Sequence, residues 1–170
     1  MLGGTYNGLT AGQWDAFDAI SARLRSQKRT GERYAGFEYR LISKAAYPSG
    51  FAELVQALQS GDAAAVEPAI LWLDSDVFCL HSGYAKERVM RYLARSVLST
   101  RQAARVRRLL LRVVERGGRP EFRMACRLAR RVETHEFRRS LATLAADEDP
   151  GVADRAGWML AACERNDSVR

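Results

Sequence analysis

Arginines recur every three or four residues along three neighbouring segments, and they carry the most organised chemistry in this sequence. At roughly 100° per residue, this spacing places them along one side of a helix, opposite the apolar residues. The planar guanidinium group pairs carboxylates and phosphates through two parallel hydrogen bonds, so the stripes indicate anion binding. The first stripe is Arg101, Arg105, Arg108, Arg112 and Arg116; the second is Arg119, Arg123, Arg127 and Arg130; the helix before them carries Arg88, Arg91 and Arg95.

The basic charge is concentrated in one part of the chain. The 170 residues carry a net charge of +7. Between Lys86 and Arg139 there are 17 Lys and Arg against 5 Asp and Glu, whereas the remainder is net acidic. Such a segment suits an anionic partner, either an acidic protein or a nucleic acid. The alternative is that the stripes are only solvated helix faces, with a few pairings such as Glu115 with Arg112 or Arg119.

The cysteines and histidines do not suggest a catalytic or metal site. His81 follows Cys79 by two residues, but the further ligands that a metal needs are missing, and His135 is isolated in the sequence. A Cys/His nucleophilic pair needs a third orienting group, and none is suggested. We therefore expect no enzymatic activity, no metal and no cofactor.

The compartment is predicted from the cysteines and from hydropathy. The three cysteines form no CxxC pair, which favours free thiols in a reducing cytoplasm. The first residues resemble no secretory leader, and no apolar run approaches the roughly 20 residues of a membrane-spanning helix. We expect a cytoplasmic protein without a membrane partner.

The composition predicts one all-α domain over residues 1–170. Ala, Leu and Arg are frequent, only 4 prolines occur, and apolar residues recur at helical spacing. We expect residues 1–9 to be flexible and residues 10–60 to form an N-terminal helical cap. Residues 62–165 are predicted to form repeats, with three helix pairs at 62–74 with 84–97, 100–116 with 120–132, and 135–146 with 150–163.

Two local signals refine these helices. Asp62 is a candidate N-cap, but Pro68 lies several residues beyond it, so that helix either starts late, near Glu67, or is kinked. Glycines at 83, 117 and 151 are spaced by 34 residues, and a period in this range is typical of stacked helical hairpins.

Residues 149–160, AspProGlyValAlaAspArgAlaGlyTrpMetLeu, resemble the second helix of a HEAT-type repeat. In that motif an Asp-Pro turn precedes a helix with a valine, a basic residue and a small alanine. Residues 121–129 and 86–93 resemble the same helix, and the resemblance covers residues 62–165. The tetratricopeptide repeat has the same period but ranks second, because its Trp/Leu-Gly/Tyr signature is absent. The resemblance implies a single α-solenoid of antiparallel helical hairpins.

In HEAT-like stacks the second helices line the concave surface, while the first helices, here with the 101–116 stripe, face outwards. The resemblance therefore implies an interaction or scaffold protein that binds an acidic protein partner on a concave arginine surface. The arginines expected there are Arg88, Arg91, Arg95, Arg119, Arg123, Arg127 and Arg130.

The competing hypothesis is nucleic-acid binding. Some DNA-alkylation glycosylases are HEAT-like solenoids that hold DNA on a basic concave face and use a tryptophan and a carboxylate near the lesion. Trp158 with Asp154, or Trp72 with Asp74, are the corresponding pairs here, although both tryptophans fit equally well as core residues. The stripes are not interleaved with exposed aromatic residues, as single-strand binders require.

Overall fold

The computed structural model describes residues 47, 50–76, 82–116 and 121–164. Within these ranges the chain forms seven α-helices, one short 3₁₀ turn and no strand, which confirms the predicted all-α class there. Residues 1–9, which were predicted to be flexible, and most of the predicted cap at 10–60 lie outside the described residues. The elements are α1 (Phe51–Ser60), the 3₁₀ turn (Ala63–Ala65), α2 (Val66–Asp74), α3 (Ser82–Leu93), α4 (Thr100–Glu115), α5 (Phe122–Val132), α6 (His135–Leu144) and α7 (Pro150–Glu164).

Side-chain caps start several of these helices where the sequence changes from polar to apolar. Ser99 forms a capping box with Gln102, in which each side chain bonds the backbone of the other residue. The Thr134 hydroxyl accepts a hydrogen bond from the N–H of Phe137 at 3.2 Å, so Thr134 is the N-cap of α6. These caps satisfy backbone donors that the first helical turn leaves unpaired.

The region around Pro68 resolves the two alternatives for α2. Asp62 caps the 3₁₀ turn by accepting a hydrogen bond from the N–H of Ala64 at 2.8 Å. The α-helix then begins at Val66, so Pro68 lies in its first turn, where its missing N–H costs nothing. The late start is therefore correct.

The helices pack in two rows. Helices α1, α3, α5 and α7 contact one another in that order, and α2, α4 and α6 do the same in the second row. Between the rows, α2 packs on α3, α4 on α5 and α6 on α7, which confirms the three predicted helix pairs. Each helix directs its apolar side into the core, which includes the fully buried residues Ile70, Val89, Leu110, Leu128, Leu141 and Met159.

The two described tryptophans have opposite environments. Trp72 is 0% exposed, and its ring centroid lies 4.6 Å from that of Phe51 and 6.4 Å from that of Tyr47. Trp158 on α7 is 60% exposed. Trp72 is thus a core residue that joins α1 to α2, and it is not available to a ligand.

This contrast predicts different effects on stability. We expect Trp72→Ala to lower the free energy of unfolding by about 3–5 kcal/mol, because it leaves a large cavity. Trp158→Ala should change it by less than about 1 kcal/mol. Denaturant unfolding followed by circular dichroism measures both values, and equal losses in the two variants would contradict the assigned environments.

Candidate anion-binding surface

The first arginine stripe, on α4, is largely paired within the protein. Arg105 bonds Glu67 and lies 3.4 Å from Asp74, measured from Nη2 to Oδ2. Arg112 also pairs with Asp74, and Arg116 pairs with Asp76. These acids belong to α2 and the turn that follows it, so the pairs join the neighbouring helices α2 and α4. Three of the five arginines in this stripe are therefore held in ion pairs to a neighbouring helix.

The same cluster reaches α3 through a buried lysine. Lys86 Nζ lies 2.6 Å from Asp76 Oδ1, and the lysine side chain is only 3% exposed. Asp76 therefore neutralises cations from two helices, Lys86 of α3 and Arg116 of α4. A buried cation is tolerated only when it is paired, so Asp76 is a structural residue.

Three other arginines donate to backbone carbonyls near the ends of neighbouring helices. Arg107 Nη1 donates to the carbonyl of Val132 at 3.0 Å, and Arg131 Nε donates to that of Ala94 at 3.0 Å. Arg155 Nε donates to the carbonyl of Val114 at 2.6 Å. A helix C-terminus has carbonyls without intrahelical partners and a partial negative charge, and a guanidinium satisfies both.

The predicted binding arginines on α3 and α5 have a different environment. Arg88 on α3, Arg95 in the turn after α3, and Arg123 and Arg127 on α5 are exposed, and Arg130 is half-buried. Arg119 lies outside the described residues. Arg91 is exposed and pairs with Glu87 of its own helix, with 2.6 Å between Nη2 and Oε1.

Apart from Arg91, none of these arginines forms an ion pair within the described part of the chain. Helices α3 and α5 are neighbours in one row, and each directs its other side into the core. Arg88, Arg123 and Arg127 therefore lie on the sides of two neighbouring helices that face away from the core, with Arg95 in the turn after α3 and half-buried Arg130 near the end of α5. We call this set of five the outer arginines. Arg101 and Arg108 are also exposed and without an ion pair among the described residues, but they lie on α4, in the other row.

A groove of about 340 Å³ runs between α5 and α7 beside three of the outer arginines. Its aromatic wall is exposed Trp158, whose ring centroid lies 6.3 Å from that of Phe122 in an edge-to-face arrangement. The complete lining is Phe122, Arg123, Cys126, Arg127, Arg130, Trp158 and Ala162. We call this the Trp158 groove.

The sequence left open whether Trp158 is a core or a surface residue, and the structure places it on the surface. No aromatic residue was expected to be interleaved with the stripes, and the aromatic residue beside the second stripe comes from another helix, α7. One signal was present: Val152, Ala156, Met159 and Cys163 follow helical spacing and are buried, and Trp158 lies outside that series. Asp154, its predicted companion one turn earlier, is also exposed.

The thiols and histidines supply little to this surface. Burial, followed by the nearby Glu133 carboxylate, raises the pKa of Cys163 from its ordinary 9.0 to about 12, so this thiol stays protonated at neutral pH. His135 is exposed at the start of α6, and Cys79 and His81 lie outside the described residues. Among residues that the structure describes, no group of three or more His, Cys, Asp and Glu is placed to hold a metal.

No family model, curated protein or solved structure matches this chain. The HEAT-like resemblance of residues 62–165 therefore stays a prediction. None of the described helices combines the length and apolar character needed to cross a membrane.

The same substitution distinguishes the arginines of α4 that pair with α2 from those that form no ion pair among the described residues. We expect Arg105→Gln to lower the free energy of unfolding by about 1–2 kcal/mol, because Glu67 and Asp74 lose a shared, largely buried partner. Arg108→Gln should change it by less than about 0.5 kcal/mol. Urea denaturation of both variants tests this, and similar values for the two would show that the pairs to α2 contribute nothing.

Proposed function

We propose that this chain is a non-enzymatic interaction protein that binds an acidic protein partner through the outer arginines of α3 and α5. The observation that supports the proposal is that the arginines fall into a group with ion pairs and a group without them. Those of α4 beside α2 are neutralised by carboxylates of the same chain, whereas the outer arginines have no ion-pair partner among the described residues. Folding alone does not account for the outer arginines.

The two helical rows support the further proposal of a HEAT-like α-solenoid. In that arrangement the row formed by α1, α3, α5 and α7 is the concave side, and the outer arginines line it. Two rows of successively contacting helices, joined by contacts between the members of each helix pair, agree with this proposal.

Carboxylates are suitable ligands for such a surface. A guanidinium forms two parallel, charge-assisted hydrogen bonds with a carboxylate, and these become stronger when the partner excludes water. Several cations on one face also steer an acidic partner during diffusion and accelerate association at low salt. The affinity should therefore fall as the salt concentration rises.

A second candidate function is nucleic-acid binding, and exposed Trp158 favours it. Single-strand binders combine cationic grooves with aromatic rings on which bases stack, and the Trp158 groove contains both elements. Asp154, one turn before Trp158, is exposed as the glycosylase hypothesis requires. Trp72 is buried in the core, so only the pair of Trp158 with Asp154 remains for that hypothesis.

A matched pair of charge reversals tests the proposed function. Tagged protein is used to capture partners from its native lysate, with and without nuclease, and the retained proteins are quantified by mass spectrometry. We expect an acidic protein that survives nuclease treatment and falls at least about tenfold, or about 1.4 kcal/mol, with Arg123→Glu plus Arg127→Glu.

The control is Arg101→Glu plus Arg108→Glu, which reverses two exposed charges on α4 in the other row. This variant should retain the partner. Loss of the partner on nuclease treatment would favour the nucleic-acid alternative. Equal loss in both double variants would indicate a general charge effect and would contradict the role of the outer arginines.

A further inference from the structure

We infer that the Trp158 groove is the specificity site of this surface, and that it takes an acidic linear segment of the partner carrying one large apolar side chain. This inference rests on the proposed function and makes it more specific. The apolar side chain packs against Trp158 and Phe122, and the flanking carboxylates pair with Arg123, Arg127 and Arg130.

The spacing of the three arginines sets the form of the acidic segment. At 1.5 Å per residue, Arg123 and Arg127 are separated by about 6 Å along α5, and Arg127 and Arg130 by about 4.5 Å. Alternate side chains of an extended chain are about 6.5 Å apart on one face. An extended segment along α5 with carboxylates at alternate positions therefore matches the spacing of Arg123 and Arg127, and the next carboxylate lies about 2 Å beyond the spacing of Arg130, which the long arginine side chain spans.

The aromatic side of the groove requires an apolar group in addition to charge. Trp158 leaves 60% of its surface in water although its neighbours Phe122, Cys126 and Ala162 offer an apolar floor. Covering this ring removes apolar surface from water, which favours binding. Tryptophan and arginine in a desolvated pocket are also the residue types that dominate binding energy at protein interfaces.

The size of the groove limits what it holds. Its volume of about 340 Å³ lies at the lower end of the roughly 300–1,000 Å³ of ligand pockets, so it accepts one large side chain and not a packed helix. The groove between α1 and α3 lacks these features. It is lined by Ala52, Gln56, Gln59, Ser60 and Arg88, with one cation and no aromatic residue.

Two synthetic peptides test the inference with the full chain. In the first, Glu alternates with Ser around a single central Phe; in the second, that Phe is replaced by Ser. Fluorescence anisotropy of the labelled peptides gives the dissociation constants. We expect the Phe peptide to bind at least about tenfold more tightly than the Ser peptide, with affinity that falls as salt is added.

Variants then test whether the preference for the Phe peptide arises in the Trp158 groove. Trp158→Ala should weaken the Phe peptide about tenfold and leave the Ser peptide unchanged, because the two changes remove the same contact. Arg127→Gln should weaken both peptides. Tyr84→Ala is the matched control, since Tyr84 of α3 is 62% exposed and lies outside the Trp158 groove. Circular dichroism confirms that each variant is folded.

Three outcomes would overturn the inference. If both peptides bind equally and depend on Arg127 but not on Trp158, the proposed function stands and the specificity site is wrong. If a single-stranded oligonucleotide binds more tightly with the same Trp158 dependence, the groove belongs to a nucleic acid. If the protein alone forms a dimer that Trp158→Ala abolishes, the groove is occupied by a second copy of the chain.

Discussion

Carboxylates on α2 and in the turn after it neutralise three arginines at α4 and the buried lysine of α3. The segment from Lys86 to Arg139 carries 17 basic and only 5 acidic residues, and such an excess of one charge opposes compaction. Glu67, Asp74 and Asp76 come from outside that segment and pair with Arg105, Arg112, Arg116 and Lys86. The charge of α4, in the second row, is thereby reduced, whereas the outer arginines form no ion pair with a described residue.

The pairs to α2 also explain how a helix with an acidic C-terminal end is stabilised. Asp74 is the last residue of α2, where the helix dipole disfavours a negative charge. Arg105 and Arg112 compensate this unfavourable position from the neighbouring helix. Arg107, Arg131 and Arg155 act in a related way on the carbonyl ends of other helices. Arginine thus joins successive helices through carboxylates and through backbone oxygens.

The sequence was sufficient for the helices and their pairing, because the signals are local. Thr134 caps the helix that starts beside it, and Pro68 fits within the first turn of its own helix. The partners of the α4 arginines could not be predicted, because Asp74 is 38 residues from Arg112 and helical spacing carries no information about a neighbouring helix. The exposure of Trp158 depends in the same way on how α7 packs on α5. Arg119 lies outside the described residues, and so does most of the predicted cap. The expectations for both stay predictions.

The division of the arginines into an ion-paired group on α4 and the outer arginines is tested most directly by nuclear magnetic resonance of their side-chain Nε–Hε groups. Hydrogen exchange at Nε and rotation of the guanidinium group both slow down when the group is held in an ion pair. We expect slow exchange and distinct resonances for Arg105 and Arg112, and fast exchange with averaged resonances for Arg123 and Arg127. Addition of an acidic peptide should then change only the second set. Equal behaviour of all four arginines, before and after addition of the peptide, would contradict the account.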